Sequence, residues 1–255
     1  MVNRLWEAFR QSRTWRALCK VTFLRSAVYL CRELRRSFLE PRTTNRDAVD
    51  SEFRASVDPF HYDTSPENRA RFLRQKELLD SVRAGGRFAS ALEIGCAEGH
   101  FTEVIAECSQ SLLVLDLSST ALARTRQRRS WGEGLRFLEW DLKSDTIPGR
   151  HDLIVLTGVL EYFQRRSTFK KIRTSLVGAL KPGGYLLLES AVSENPTVAN
   201  AWWSQYLIRG KWTNAFIAEH EELEVVENII LGIFVITLLR KRSTEIGRAS
   251  CRERV

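Results

Sequence analysis

The sequence predicts an α/β domain, a mostly parallel sheet with helices on both faces, preceded by a basic helical extension. Three observations predict it. Residues 91–102, ALEIGCAEGHFT, join a short apolar run to a turn with small residues at Gly95, Ala97 and Gly99, and a helix start follows. Residues 112–116, LLVLD, are a continuous apolar run closed by an acid, the pattern of a parallel strand buried on both faces. Further runs of the same kind recur at 135–140, 152–157 and 185–189, with helical spacing between them, which is the alternation of a βαβ sheet.

Taken in order, residues 1–46 form the extension. They carry eleven Lys/Arg against Glu7, Glu33 and Glu40, which accounts for the whole net charge of +8 and leaves the rest near neutral. Residues 1–40 contain no Gly or Pro and stop at Pro41, so helix is expected. Leu24, Val28, Cys31, Leu34 and Phe38 fall at helical spacing, and Trp6, Phe9 and Trp15 add aromatic weight. A basic amphipathic helix of this kind suits an anionic membrane surface or a partner protein. Packing on its own domain and an organellar transit peptide are the other readings of the same residues. Nucleic acid is disfavoured, because the arginines do not belong to a domain that otherwise looks like a reader.

Residues 41–57 are polar and aperiodic and read as a linker. A helix is expected over 66–82, with Ser65 as its cap, Pro66 at its first position and Glu67 in its first turn. The catalytic-type domain is bounded at 47–244. Within it, 91–94 is the first strand, 101–107 a helix and 112–116 the second strand. The glycine turn does not match glycine-x-glycine-x-x-glycine, because His100 stands where the third glycine belongs. Small residues at Gly95, Cys96, Ala97 and Gly99 let backbone approach a ligand at a strand-to-helix corner. Asp116, some 20 residues beyond the turn, is placed to accept hydrogen bonds from two ribose hydroxyls, with Leu117 beside it. Residues 169–180 show an apolar helical face, Pro182-Gly183-Gly184 turns into the fifth strand, and 222–229 with 233–240 read as a closing antiparallel pair. The connection over 191–220 holds Trp202, Trp203, Tyr206 and Trp212 and reads as a substrate lid or acceptor wall.

Composition excludes several classes. No apolar run reaches the length of about 18 residues that spans a bilayer, and no secretory signal opens the chain. Cys19, Cys31, Cys96 and Cys108 make no Cys-x-x-Cys pair and the four histidines are scattered, so no metal-ligand spacing is present. A reducing cytosol fits, with peripheral attachment at the inner membrane face if the extension binds lipid. Residues 245–255, EIGRASCRERV, match a common short-read sequencing adapter translated in frame and are set aside with Cys251.

The ordered motifs over 65–189 resemble class I S-adenosylmethionine (SAM) methyltransferases. The resemblance implies a Rossmann-like seven-stranded methyltransferase sheet and SAM as cofactor. It implies that Glu93 ties the cofactor's amino-acid end and that Asp141, with Leu142, serves the adenine amino group. The segment Asp58-Pro59-Phe60-His61-Tyr62, followed by a helix and LEIGCAEGHFT, is similar to the nodulation protein S-like (NodS-like) group. In that group the segment folds over the cofactor, so Tyr62 closes over SAM or else packs the helix onto the sheet. Thr157 through Tyr162 follow strand four at the edge where open α/β sheets bind ligands. The chain lacks the Asn/Asp-Pro-Pro-aromatic motif there, which argues against exocyclic base amines and glutamine amides as acceptors. Glu161 and Tyr162 face the acceptor, or else Leu160 and Tyr162 pack the following helix, and Glu161 and His220 are the candidate bases. The leading function is a SAM-dependent methyltransferase, with transfer to an amino group of an amino sugar, glycan or glycolipid precursor implied by the resemblance alone. A small-molecule O- or N-methyltransferase and a non-catalytic SAM-binding partner protein are the alternatives.

Overall fold

The computed structural model describes residues 46–143, 146–163, 166–191 and 211–243. The chain divides between Pro41 and Arg42, slightly earlier than the expected boundary at 46/47. The basic extension, Trp202, Trp203 and Tyr206, and residues 245–255 lie outside the described residues.

Seven strands form one sheet: β1 Ala91–Ile94, β2 Leu112–Asp116, β3 Leu135–Glu139, β4 His151–Thr157, β5 Leu180–Ala191, β6 Leu223–Leu231 and β7 Phe234–Lys241. Their order is β3-β2-β1-β4-β5-β7-β6. The first five are parallel, and β7 pairs antiparallel with both β5 and β6, closing the sheet as the 222–240 pattern predicted. The order reverses between β1 and β4, so a crevice opens at their carboxyl ends.

Around the sheet lie α1 Arg46–Ala55, α2 Pro66–Val82, α3 His100–Cys108, α4 Ser119–Arg128, α5 Arg166–Ala179 and α6 Lys211–Ala218. Alternation along the strands separates two cores. Leu92, Ile94, Ile154, Leu156, Leu186 and Leu188 face α5 and α6, while Ala91, Leu153, Val155 and Leu187 face α2 and α3. Each fully buried aliphatic side chain contributes about 1.5–3 kcal/mol, so the central strands tolerate little besides apolar residues.

The helix over 66–82 starts as its cap predicted, with the Ser65 hydroxyl accepting the Asn68 N–H at 3.2 Å. Two expectations change. Residues 46–55 are helical rather than linker, because α1 is held from outside: Asp50 accepts from the Ser118 hydroxyl at 2.5 Å and the Thr120 N–H at 2.9 Å. The 191–220 connection ends in α6, whose Phe216 and Ile217 are buried in the main core, so that part is packing and not acceptor wall. Among the described residues no helix is long and apolar enough to cross a membrane.

Candidate active site

The glycine turn after β1 is shaped by sterics. Gly95 has φ +83°, and a Cβ there would meet Val159 Cγ2 at 2.3 Å, so any other residue collides with the turn after β4. Gly99 has φ +83° as well, and its Cβ would meet Thr125 Cγ2 at 2.6 Å. Ala97 between them adopts φ +49°, a conformation L residues seldom accept. It is held there by the Asp116 carboxylate, which accepts the Ala97 N–H at 3.1 Å and the Ser118 N–H at 2.8 Å. The acid ending β2 thus braces the turn ending β1, its neighbour in the sheet. Burial pushes the Asp116 carboxyl up to about 6, against those two N–H donors.

A cavity of about 780 Å³ opens at this crevice. Its walls include Tyr62, Gly95, Ala97, Asp116, Leu117, Asp141, Leu142, Thr157, Glu161 and Tyr162, so ten residues picked from scattered sequence positions share one space. The structure adds Val49 and Phe53 from α1, Phe60 and His61 from the strap between α1 and α2, and Arg71 from α2. Phe60 packs on Phe53 and Tyr62, with ring centroids 5.7 and 5.5 Å apart, forming an aromatic roof. Arg124 fastens the roof, donating to the backbone carbonyls of Phe53 and of Ser56 (2.8 Å).

Four expected site residues stand elsewhere. The Cys96 side chain turns away from the cavity, its Sγ 3.4 Å from Thr125 Oγ1, and burial pushes its thiol well up, so it packs the turn and is no nucleophile. Gly99 caps α3 behind the wall. Glu93 does not line the cavity. It is buried on the α2–α3 face of β1, burial pushing its carboxyl up to about 8, and Oε2 has no hydrogen-bond partner among the described residues. His220 is a correction. It precedes Leu223, which pairs with Lys241 at the amino edge of the sheet, whereas the cavity lies by Phe234 and Ala191 at the opposite edge. Eight strand residues at about 3.3 Å each separate the two edges. His220 instead accepts the Glu222 N–H at 3.2 Å and shapes a turn.

Sequence reasoning missed a buried charge cluster at the β4–β5 end. Arg71 is ion-paired with Glu189, their side chains 4% and 0% exposed. Gln75, one turn along α2, accepts the Thr157 hydroxyl at 3.0 Å, and Thr157 pairs with Glu189 across the strands. Glu161 accepts the Ala191 N–H at 3.2 Å, and burial raises its carboxyl while Ala191 and Arg71 oppose the rise. The Tyr62 and Tyr162 phenols are pushed up by burial and so stay protonated. The one visible signal was Glu189 itself, a carboxylate closing the apolar run LLLE.

A seven-stranded sheet in this order, with an acid-braced glycine turn at the switch point, is the fold of the class I SAM-dependent methyltransferases. The family model for nodulation protein S (NodS) matches residues 42–207. The chain belongs to that family. It is 31% identical over 141 residues to a nodulation protein S of Sinorhizobium fredii strain NGR234, covering 55% of this chain and 64% of the relative. A nodulation protein S of Rhizobium tropici is 36% identical over 141 residues, 55% of this chain and 58% of the relative. The match thus spans under two thirds of either relative's length. The fold also matches a crystal structure of N-methyltransferase NodS from Bradyrhizobium japonicum WM9 in complex with S-adenosyl-L-homocysteine (SAH). There the TM-score is 0.65 at 24% identity, over 77% of this chain and 98% of that one.

Proposed function

We propose that the chain is a SAM-dependent N-methyltransferase whose acceptor is a free amino group on an amino sugar, glycan or glycolipid precursor. The residues fit the cofactor. The cavity has the size of a small-molecule pocket; Gly95 leaves it clear of side chain; and Asp116 retains lone pairs for ribose hydroxyls beyond those used by Ala97 and Ser118. Asp141 and Leu142 would flank the adenine, and Tyr62 would close the roof.

Bound SAM supplies a methyl group already activated on a sulfonium, so the protein's work is alignment, exclusion of water and handling one proton. The observation that carries the amine reading is Glu161, a carboxyl with a raised pKa in the cavity wall beside two protonated tyrosines. An acceptor arriving as an ammonium docks there and gives one proton to the Glu161 carboxylate. The freed nitrogen lone pair then forms the N–CH3 bond as the S–CH3 bond breaks, and the positive charge passes from sulfur to nitrogen. The B. japonicum relative, an N-methyltransferase, supports the same choice.

The test is transfer of labelled methyl from SAM to amino-sugar oligomers, free-amine against N-acetylated, alongside small phenols and amines. Transfer confined to the free-amine oligomers is expected. Transfer to phenols alone would favour the small-molecule alternative, and SAH binding without transfer to any acceptor would favour a non-catalytic partner.

A further inference from the structure

At the cavity's β4–β5 end one guanidinium is paired with a buried carboxyl, and a second buried carboxyl, that of Glu161, lines the same cavity wall. Arg71 donates to Glu189 and to Asn68 Oδ1 (2.8 Å), and its guanidinium lies 4.6 Å from the ring centres of both Phe72 and Phe234. It is therefore fixed in place. Glu189 uses one oxygen for Arg71, and its other oxygen has no hydrogen-bond partner among the described residues. Glu161 reaches the same strand two residues on, through the Ala191 N–H. Glu161 is coupled electrostatically to Arg71 from α2, Glu189 from β5 and Tyr62 from the strap, with Tyr162 next in sequence and Glu52 of α1 acting on Tyr162. The cavity's Lys143 stands with Asp141 on the β3 side, two strands beyond β1.

A buried carboxylate without a counter-charge is costly, so two carboxyls sharing one guanidinium keep a proton between them. A ligand that brings a positive charge displaces that proton, whereas a neutral ligand leaves the cluster as it was. We propose that Glu189 is a specificity-determining positioning residue: it engages the charge of Arg71, so Glu161 is left to be satisfied by an acceptor that carries an ammonium group. This rests on the amine-acceptor reading and adds the residue that enforces it. Burial pushes the Glu189 carboxyl upward, Arg71 opposes it and Glu161 adds to it, which agrees with a shared proton.

The experiment is calorimetric titration of the full chain, loaded with SAH, with glucosamine oligomers and with their N-acetylated counterparts. Two buffers of different ionisation enthalpy count the protons exchanged. The wild type should bind the free-amine oligomer about tenfold tighter or more and release up to about one proton on binding. Glu189→Gln leaves one carboxylate facing one guanidinium, so both the preference and the proton release should be lost. Arg71→Gln combined with Glu189→Gln leaves Glu161 without a counter-charge and should restore the preference, which a merely structural role for Glu189 would not do. If Glu189→Gln keeps preference and proton release while the wild type shows them, the inference is overturned and the amine reading survives. If the wild type binds both oligomers alike, or neither, both fall together. Should the double variant fail to bind SAH, the pH profile of oligomer affinity in Glu189→Gln decides: a profile superimposable on the wild type's sinks the proposal.

Discussion

Acid should loosen the cofactor through the Asp116 carboxylate. In the free protein that carboxyl sits at about 6, raised by burial. In the proposed cofactor complex ribose hydroxyls would donate to its ionised form, so that complex would hold its pKa lower and bind fewer protons than the free protein. Affinity is therefore full above about pH 7 and falls as pH drops through 6. At about pH 5 roughly a tenth of the free protein is ionised there, and SAH affinity should be about tenfold weaker, near 1.4 kcal/mol. Burial raises the Glu93 and Glu98 carboxyls as well, to about 8 and 7, so the Asp116→Asn variant is what assigns the limb. The assay is isothermal titration with SAH from about pH 5 to pH 8. Asp116→Asn should weaken binding by about 1–3 kcal/mol at neutral pH, the range for a lost hydrogen bond to a charged group. It should also flatten the acid limb. A wild-type affinity constant across this range, or an unaltered Asp116→Asn, would refute the role given to Asp116.

Gly95→Ala places a methyl 2.3 Å from Val159 and strains φ +83°, so thermal melting should report a loss of about 1–3 kcal/mol, with SAH binding abolished. Asp50→Ala removes the Ser118 and Thr120 bonds and should cost about 1–3 kcal/mol in denaturant unfolding. Burial works against it, yet the Ser118 and Thr120 bonds and Arg54 lower the Asp50 carboxyl to about 2, so that contribution holds above its unfolded value of 3.8 and fades as pH falls through 2. His220→Ala should leave the rate of methyl transfer unchanged, because the residue sits at the far edge of the sheet; a large drop in kcat would return it to the site.

What could be read from the chain alone was what lies in single stretches. The strands, the closing hairpin and the cavity residues at strand ends each follow from a local pattern: an apolar run, then an acid or a glycine. Helix α1 was hidden because Val49 and Phe53 make only a thin apolar face, and Ser118, Thr120 and Arg124 supply the rest of its hold from 68 to 71 residues away. The Arg71–Glu189 pair joins residues 118 positions apart, and no spacing rule foreshadows it. His220 was misplaced for a related reason. A residue's position along the chain does not say at which edge of a sheet it lies until every strand's direction is known. Cys96 fell inside the right turn, but the side its thiol faces is set by the φ values of its neighbours.

The roof of the cavity and its floor have separate origins. Val49, Phe53, Phe60 and Tyr62 all precede the first strand, while the nucleotide cradle is built from strand ends. Residues 46–65 contribute little to either large core, so they can be rewritten without repacking the sheet. Relatives that keep the cradle are then free to diversify their ceilings. Exchanging that twenty-residue piece between family members would reshape the roof while the strands beneath keep their packing.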